Sequence, residues 1–208
     1  MGKVRTLALG VPAALLLAAG VAGAATSIVL PKPGQVGIGF GAGYGGFASG
    51  ENVGNVFGNG PSFCVRGRYR MRYERAIGLS FEGQQLDARL PAPLFDPADQ
   101  STVAPTRLSL ITSGVEFYQM FGTRTHTTRM LMVGAGIAQM RAKDNTGEID
   151  LVTNGGDGVY VSGGGGVERF FYRSWAYDLS ARYLAVFRDG KPNHDLQAAL
   201  GVIFYASY

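Results

Sequence analysis

Cysteine is almost missing from this chain of 208 residues. Cys64 stands alone, so no disulfide can form within the chain and no Cys-based zinc spacing exists. Histidine is nearly as scarce, with only His126 and His194. Charged residues reach 16%, against roughly 25% in an average domain. The 19 basic and 15 acidic residues nearly balance, which excludes the strongly basic surface of a nucleic-acid binder. Past residue 24 no apolar run approaches the about 20 residues of a helical membrane span. Glycine, by contrast, is abundant: 32 residues, about twice the usual share. With 46% hydrophobic and 11% aromatic residues the chain is too apolar to be disordered, and collagen's G-X-Y period is absent.

The first 24 residues have the layout of a cleavable secretory signal. Lys3 and Arg5 supply a basic start, Leu7 to Val21 is nearly unbroken Leu and Ala, and Ala22-Gly23-Ala24 gives the small-x-small cleavage pattern. A membrane anchor fits less well, because the run is short and Pro12 interrupts it. No Cys follows it, which disfavours a lipid-anchored form. Cleavage would leave Ala25 to Tyr208, 208 − 24 = 184 residues with 19 − 2 = 17 basic and 15 acidic groups, hence a charge of only +2. The expected organisation is signal 1–24, a short lead-in 25–34, and one domain over 35–208. What remains possible is a soluble exported domain or a membrane β-barrel.

Period-2 alternation decides the secondary structure. Pro61 to Glu74 reads PSFCVRGRYRMRYE, placing Phe63, Val65, Tyr69, Met71 and Tyr73 on one face of a strand and Cys64, Arg66, Arg68, Arg70 and Arg72 on the other. A helix would mix these sets. Ala76 to Asp87, Trp175 to Phe187 and Leu196 to Tyr208 alternate as clearly. Gln35 to Phe47, Thr106 to Met120, Arg129 to Arg141 and Gly158 to Phe170 are weaker members, and the phase of Thr106 to Met120 slips near Leu110-Ile111, which suggests a bulge. Eight strands result. Odd links are long (48–60, 88–105, 143–157), with a shorter fourth at 188–193, whereas even links are tight (74–75, 122–127, 172–174). That asymmetry with an even strand count is the pattern of an all-β, eight-stranded antiparallel up-and-down transmembrane barrel, both chain ends on the short-turn side.

Alternation alone leaves open which face is outside. Three observations favour apolar outside. The polar faces carry both signs, Arg66, Arg68, Arg70, Arg72 and Arg182 against Glu74, Glu82, Glu116, Glu168 and Asp178, and such a set can neutralise itself in a lumen. Glycines crowd onto the same faces, as Gly37, Gly39, Gly41, Gly43, Gly164 and Gly166, where a narrow lumen needs small residues opposite large Arg. Aromatic residues mark the ends of the apolar faces, namely Tyr69, Tyr73, Trp175, Tyr177, Tyr183, Phe187, Phe204 and Tyr208, as in interfacial girdles.

Gly166-Val167-Glu168-Arg169-Phe170 followed by Trp175 to Tyr183 resembles the hairpin near the end of the barrel in the OmpA-like and OmpX-like small outer-membrane proteins, including its Glu-then-Arg-Tyr pattern. Gly201 to Tyr208 resembles that family's closing strand. The resemblance implies residence in the outer membrane among lipid and lipopolysaccharide, and assembly-machinery recognition of a terminal strand whose aromatic residues here are Phe204 and Tyr208. Ala206-Ser207 before the last residue is a milder signal than the strongest in the family. Because the chain ends with this strand, tethering to peptidoglycan through a further domain is not expected.

Chemistry is harder to find. His126 and His194 fall in links of opposite type, which argues against a shared metal site. His194-Asp195 could serve a lipid-modifying enzyme as base and orienting carboxylate, yet no nucleophile motif accompanies it. Asp144 to Asp150 with Asp157 lacks full calcium-loop spacing and reads as a solvated loop. Gly163 to Gly166 lacks the strand-to-helix setting of a phosphate cradle. Leu94-Phe95 in the Pro-rich second long link is the best candidate for an exposed contact with a surface partner. The expectation is therefore a non-enzymatic barrel without cofactor or metal, its lumen closed by paired charges. A narrow pore or transporter for small hydrophobic or anionic solutes is the runner-up, ahead of a lipid-A-modifying enzyme.

Overall fold

A computed structural model describes residues 28–50, 57–88, 94–96, 101–103, 107–143, 148–149, 157–188 and 191–206. The signal segment and Tyr208 lie outside the described residues. Strands run as β1 (Val36–Gly50), β2 (Asn59–Arg72), β3 (Arg75–Asp87), β4 (Leu94–Asp96), β5 (Ser101–Val103), β6 (Arg107–Phe121), β7 (Thr127–Lys143), β8 (Glu148–Ile149), β9 (Asp157–Tyr172), β10 (Trp175–Arg188) and β11 (Lys191–Tyr205). The eight long strands each pair antiparallel with the next, and β11 returns to β1 with Gly37 opposite Tyr205 and Phe40 opposite Val202. The sheet closes on itself, leaving no free edge. Of the short strands, β4 and β5 form a hairpin within the second long link, and β8 pairs with the end of β7.

Local chemistry fixes the tight turns. Gly122 leaves β6 at φ 71°, in the left-handed region, and the Thr125 hydroxyl bonds the carbonyls of Gly122 and Thr127, both at 2.8 Å, closing the β6–β7 turn. Two expectations need correcting. The phase slip at Leu110-Ile111 is no bulge, because β6 keeps an unbroken register against both β3 and β7. Instead Leu108 and Leu110 point inward, where the lumen itself turns apolar. The fourth long link also shrinks: β11 begins at Lys191, paired with Arg188, so only two residues join β10 to β11.

The burial pattern is inverted relative to a protein in water. Along β2, Phe63, Tyr69 and Met71 are exposed while Ser62, Cys64, Arg66, Arg68 and Arg70 are buried. Strand β7 measures the apolar band: its outward residues run Arg129, Leu131, Val133, Ala135, Ile137, Gln139, Arg141. The twelve steps between the two arginines, at about 3.3 Å each and tilted about 40°, span roughly 30 Å along the barrel axis, enough for the ~25 Å apolar band with its interfaces. The interior is layered. At the long-link end an apolar cluster joins Phe47, Phe57, Leu86, Leu108, Leu184 and Val186, among others. At the short-turn end one cluster joins Tyr118, Met120, Met130 and Met132, and another gathers Phe170, Ala176, Ile203 and Tyr205. Ile28 and Leu30 of the lead-in pack on the latter, held by the Val29 N–H on the Arg173 carbonyl at 3.1 Å.

Candidate functional site

Between these apolar layers lies the charge. Strand β2 aims Arg66, Arg68 and Arg70 inward at successive two-residue steps, and acids enter the lumen from neighbouring β3 (Glu82), from β6 (Glu116) and from β9 (Glu168) and β10 (Asp178) on the far side, with Arg182 also from β10. The side chains form two knots. In the first, Glu168 bonds both Arg68 and Arg70, the latter through Nη2 at 3.0 Å, and accepts the Tyr205 hydroxyl at 2.8 Å. Asp178 takes Arg68 Nη2 at 3.2 Å and lies 3.7 Å from Arg66, which also donates to the Ser180 hydroxyl at 2.9 Å. In the second, Arg182 spans Glu116, at 2.6 Å, and Glu82, and donates to Gln197 at 3.1 Å, whose amide reaches Gln84 at 2.9 Å. Tyr118 joins the knots: its hydroxyl donates to Glu116 while the Arg68 guanidinium stacks 4.2 Å above its ring.

Eight of the ten residues expected in the lumen are thus buried and bonded there. Arg72 and Glu74 are not; both are exposed at the β2–β3 turn, where the strand ends before its alternation can carry them inward. Two unexpected residues take their place. Arg188 and Asp195 are buried on the inward faces of β10 and β11, so the described interior still holds five cations and five acids. Parity points to both, since Arg188 continues Arg182 and Asp195 precedes Gln197. The sequence boundaries of those strands stop short of them. Tyr118 and Tyr205 are inward for the same reason.

The strands beside the arginines are bare where they pair with them. Gly39 pairs with Arg66 and Gly37 with Arg68 across β1 and β2, and Gly164 pairs with Arg182 across β9 and β10. A Cβ on Gly37 would meet the Tyr205 ring at 2.7 Å. Beside Gly39, Gly41 and Gly201 a cavity of about 20 Å³ borders Cys64, Arg66, Arg68 and Asp178, room for about one water.

Outside, the aromatic residues form two levels. Tyr69, Tyr73 and Trp175 are exposed at the short-turn end with half-buried Tyr177, and the Phe204 ring packs against Trp175 at a tilt of 42° with ring centres 5.0 Å apart. Tyr183 and Phe187 are exposed towards the opposite end. His194 also faces outward, hydrogen-bonded through Nδ1 to the Tyr183 hydroxyl, whereas Asp195 faces the lumen. The strand places His194 and Asp195, the pair weighed as a base and its carboxylate, on opposite faces. His126 is exposed on the β6–β7 turn at the far end. Leu94 and Phe95 pair through their backbones with Val103 and Thr102, and of the candidate loop Asp144 to Asp150, residues 144–147 and 150 lie outside the described residues.

A closed eight-stranded barrel with an apolar exterior and a charged, enclosed interior defines the class of small outer-membrane β-barrels, and a bilayer is the solvent that such an exterior requires. No family model matches the chain, and no curated protein matches it in sequence. Solved structures match the fold. Neisserial surface protein A aligns at TM-score 0.57 and 13% identity, over 81% of this chain and 96% of that one. OprG of Pseudomonas aeruginosa aligns at 0.58 and 12%, over 88% and 100%, and Ail, the attachment invasion locus protein of Yersinia pestis, at 0.52 and 10%, over 84% and 99%. Shared architecture and an exterior built for lipid place this chain in the outer membrane.

Proposed function

We propose that the protein is a non-enzymatic outer-membrane barrel whose lumen is closed and whose long links serve contacts with the envelope or the cell's surroundings. The observation that carries this reading is the enclosure of Arg68, Arg70 and Glu168, whose side chains are 0% exposed, between apolar layers at both ends. Enclosed ions bonded in this way hold one another in place and leave an eight-stranded lumen little room for water. The opposite facing of His194 and Asp195 speaks against a lipid-modifying dyad. The outward aromatic face ending in Phe204 suits recognition by the barrel assembly machinery, and lipopolysaccharide surrounds the long-link end.

Planar-bilayer recordings test closure. Wild type and Arg70→Leu should both lack stable channels, with Arg70→Leu less stable. Steady open wild-type channels would overturn the reading. One observation favours a second: the apolar outer layer of Phe47, Phe57 and Leu108 would suit a small hydrophobic solute entering from the long-link end. Uptake of such a solute by vesicles carrying the protein, absent from empty vesicles, would select it.

A further inference from the structure

The short-turn end of the barrel is strongly basic. Arg72, Arg75, Arg124, Arg129, Arg169 and Arg173 are exposed there together with Lys32, and among the described residues Glu74 is the one exposed carboxylate at that end. None of the six arginines makes an ion pair among the described residues. Among the described residues of the opposite end, exposed Arg107 and Arg141 stand with Asp87 and Asp157. The described interior charge is balanced too, so among the described residues the excess positive charge lies at the short-turn rim.

Three of these arginines sit at a defined depth. Arg75, Arg129 and Arg169 are outward residues at the short-turn ends of β3, β7 and β9, and the next outward residues along each strand, Ile77, Leu131 and Val167, belong to the apolar band. They occupy one arc of the wall. On the other arc the same level is held by Tyr177, Trp175, Phe204 and Tyr69, and the two arcs meet at β9, where Arg169 pairs across to Tyr177, itself stacked at 4.2 Å on Phe171 of that same strand. An arginine at this depth lays its stem along hydrocarbon and lifts its head to the interface.

We propose that the β3–β9 arc binds the phosphate headgroups of anionic phospholipids in the leaflet that faces the short turns. A guanidinium offers phosphate a planar pair of donors, and these arginines, which make no ion pair among the described residues, keep those donors available. A zwitterionic headgroup brings its own ammonium into this positive rim, whereas an anionic headgroup does not, so the rim selects by net charge. An acidic protein would feel the same field. Arg75, Arg129 and Arg169 lie on the wall at the border of the apolar band rather than on the turn tips, however, so lipid headgroups reach them first.

The test uses the full chain in phosphatidylcholine nanodiscs containing a minor share of phosphatidylglycerol, with native mass spectrometry counting the lipids retained by the released barrel. Wild type and the long-link-end control R107Q should retain phosphatidylglycerol preferentially. The triple variant R75Q/R129Q/R169Q should lose that preference by roughly a hundredfold, and each single variant about fivefold, following the gain expected per basic residue at an anionic surface. Circular dichroism and heat-modifiable migration verify folding, and the single variants decide the matter should the triple variant fail to fold. Equal retention of both lipids by wild type would overturn the proposal, as would folded single variants that keep the wild-type preference or a loss equally large in R107Q.

Discussion

Replacing Glu168 by Gln probes the lumen most directly. The substitution preserves volume but removes the charge that Arg68 and Arg70 share, and it turns one of two accepting oxygens into a donor facing guanidinium groups. Arg66, Arg68 and Arg70 then face Asp178 alone, an excess of two positive charges where wild type has one, with the side chains of Arg68 and Arg70 fully buried. Breaking a buried pair by removing one partner costs about 3–5 kcal/mol, and that is the expected loss. Urea titration in lipid vesicles, followed by Trp175 fluorescence and by heat-modifiable migration, measures it. Adding Arg70→Met restores the charge count, so the double variant should recover about 2 kcal/mol or more in a double-mutant cycle. Arg107→Gln is the solvent-exposed reference: its contact with Asp87 is 3.8 Å between side chains 70% and 74% exposed, and its loss should cost under about 1 kcal/mol. A Glu168→Gln variant no less stable than Arg107→Gln, or a double variant that is merely additive, would refute the paired-charge account.

Other perturbations separate the layers. Leu108→Ala opens a cavity in the outer apolar cluster and should cost about 2–5 kcal/mol in the same titration while leaving bilayer recordings silent; channels in this variant would make the apolar cluster the sole barrier. Gly37→Leu must displace the Tyr205 ring, which binds Glu168, and should destabilise by at least about 1–3 kcal/mol. Gly67→Ala, which points into open space, should stay within about 0.5 kcal/mol of wild type or exceed it. Trp175, the single tryptophan, is exposed at the apolar rim, so lipids brominated near the headgroup should quench it more than lipids brominated at the chain end. No quenching by either would mean that the apolar face does not meet lipid.

The strands were legible because β2 writes its two faces in different chemistries, Arg on one and aromatic or aliphatic residues on the other. The same rule failed at strand ends. Arg72 and Glu74 continue the alternation in sequence but sit on a turn, where neither face is enclosed, while Arg188 and Asp195 lie on inward faces that run one to a few residues beyond the strand ends the alternation marked. Leu108, Leu110, Leu184 and Val186 weakened the pattern for another reason: alternation identifies a face by polarity, and the inward face of this barrel is itself apolar at its outer end. Ion-pair partners were legible only as a balanced set. Arg182 on β10 reaches Glu82 on β3 across the lumen, and which acid meets which arginine follows from strand tilt and stagger around the whole barrel.

The layering also bears on how closure is shared. A buried ion pair is a poor source of stability in itself, since desolvation offsets most of the attraction. Its strength depends on staying dry. Here the apolar clusters at either end exclude water from the guanidinium and carboxylate groups between them, which raises the effective strength of each bond, and the bonds in turn hold neighbouring walls at fixed distances so that the apolar residues pack. On the closed-lumen reading, neither layer is sufficient without the other for stability, and each alone should obstruct the lumen. Loss of one layer should therefore loosen the barrel long before it opens a path, which is why stability and conductance must be measured on the same variants.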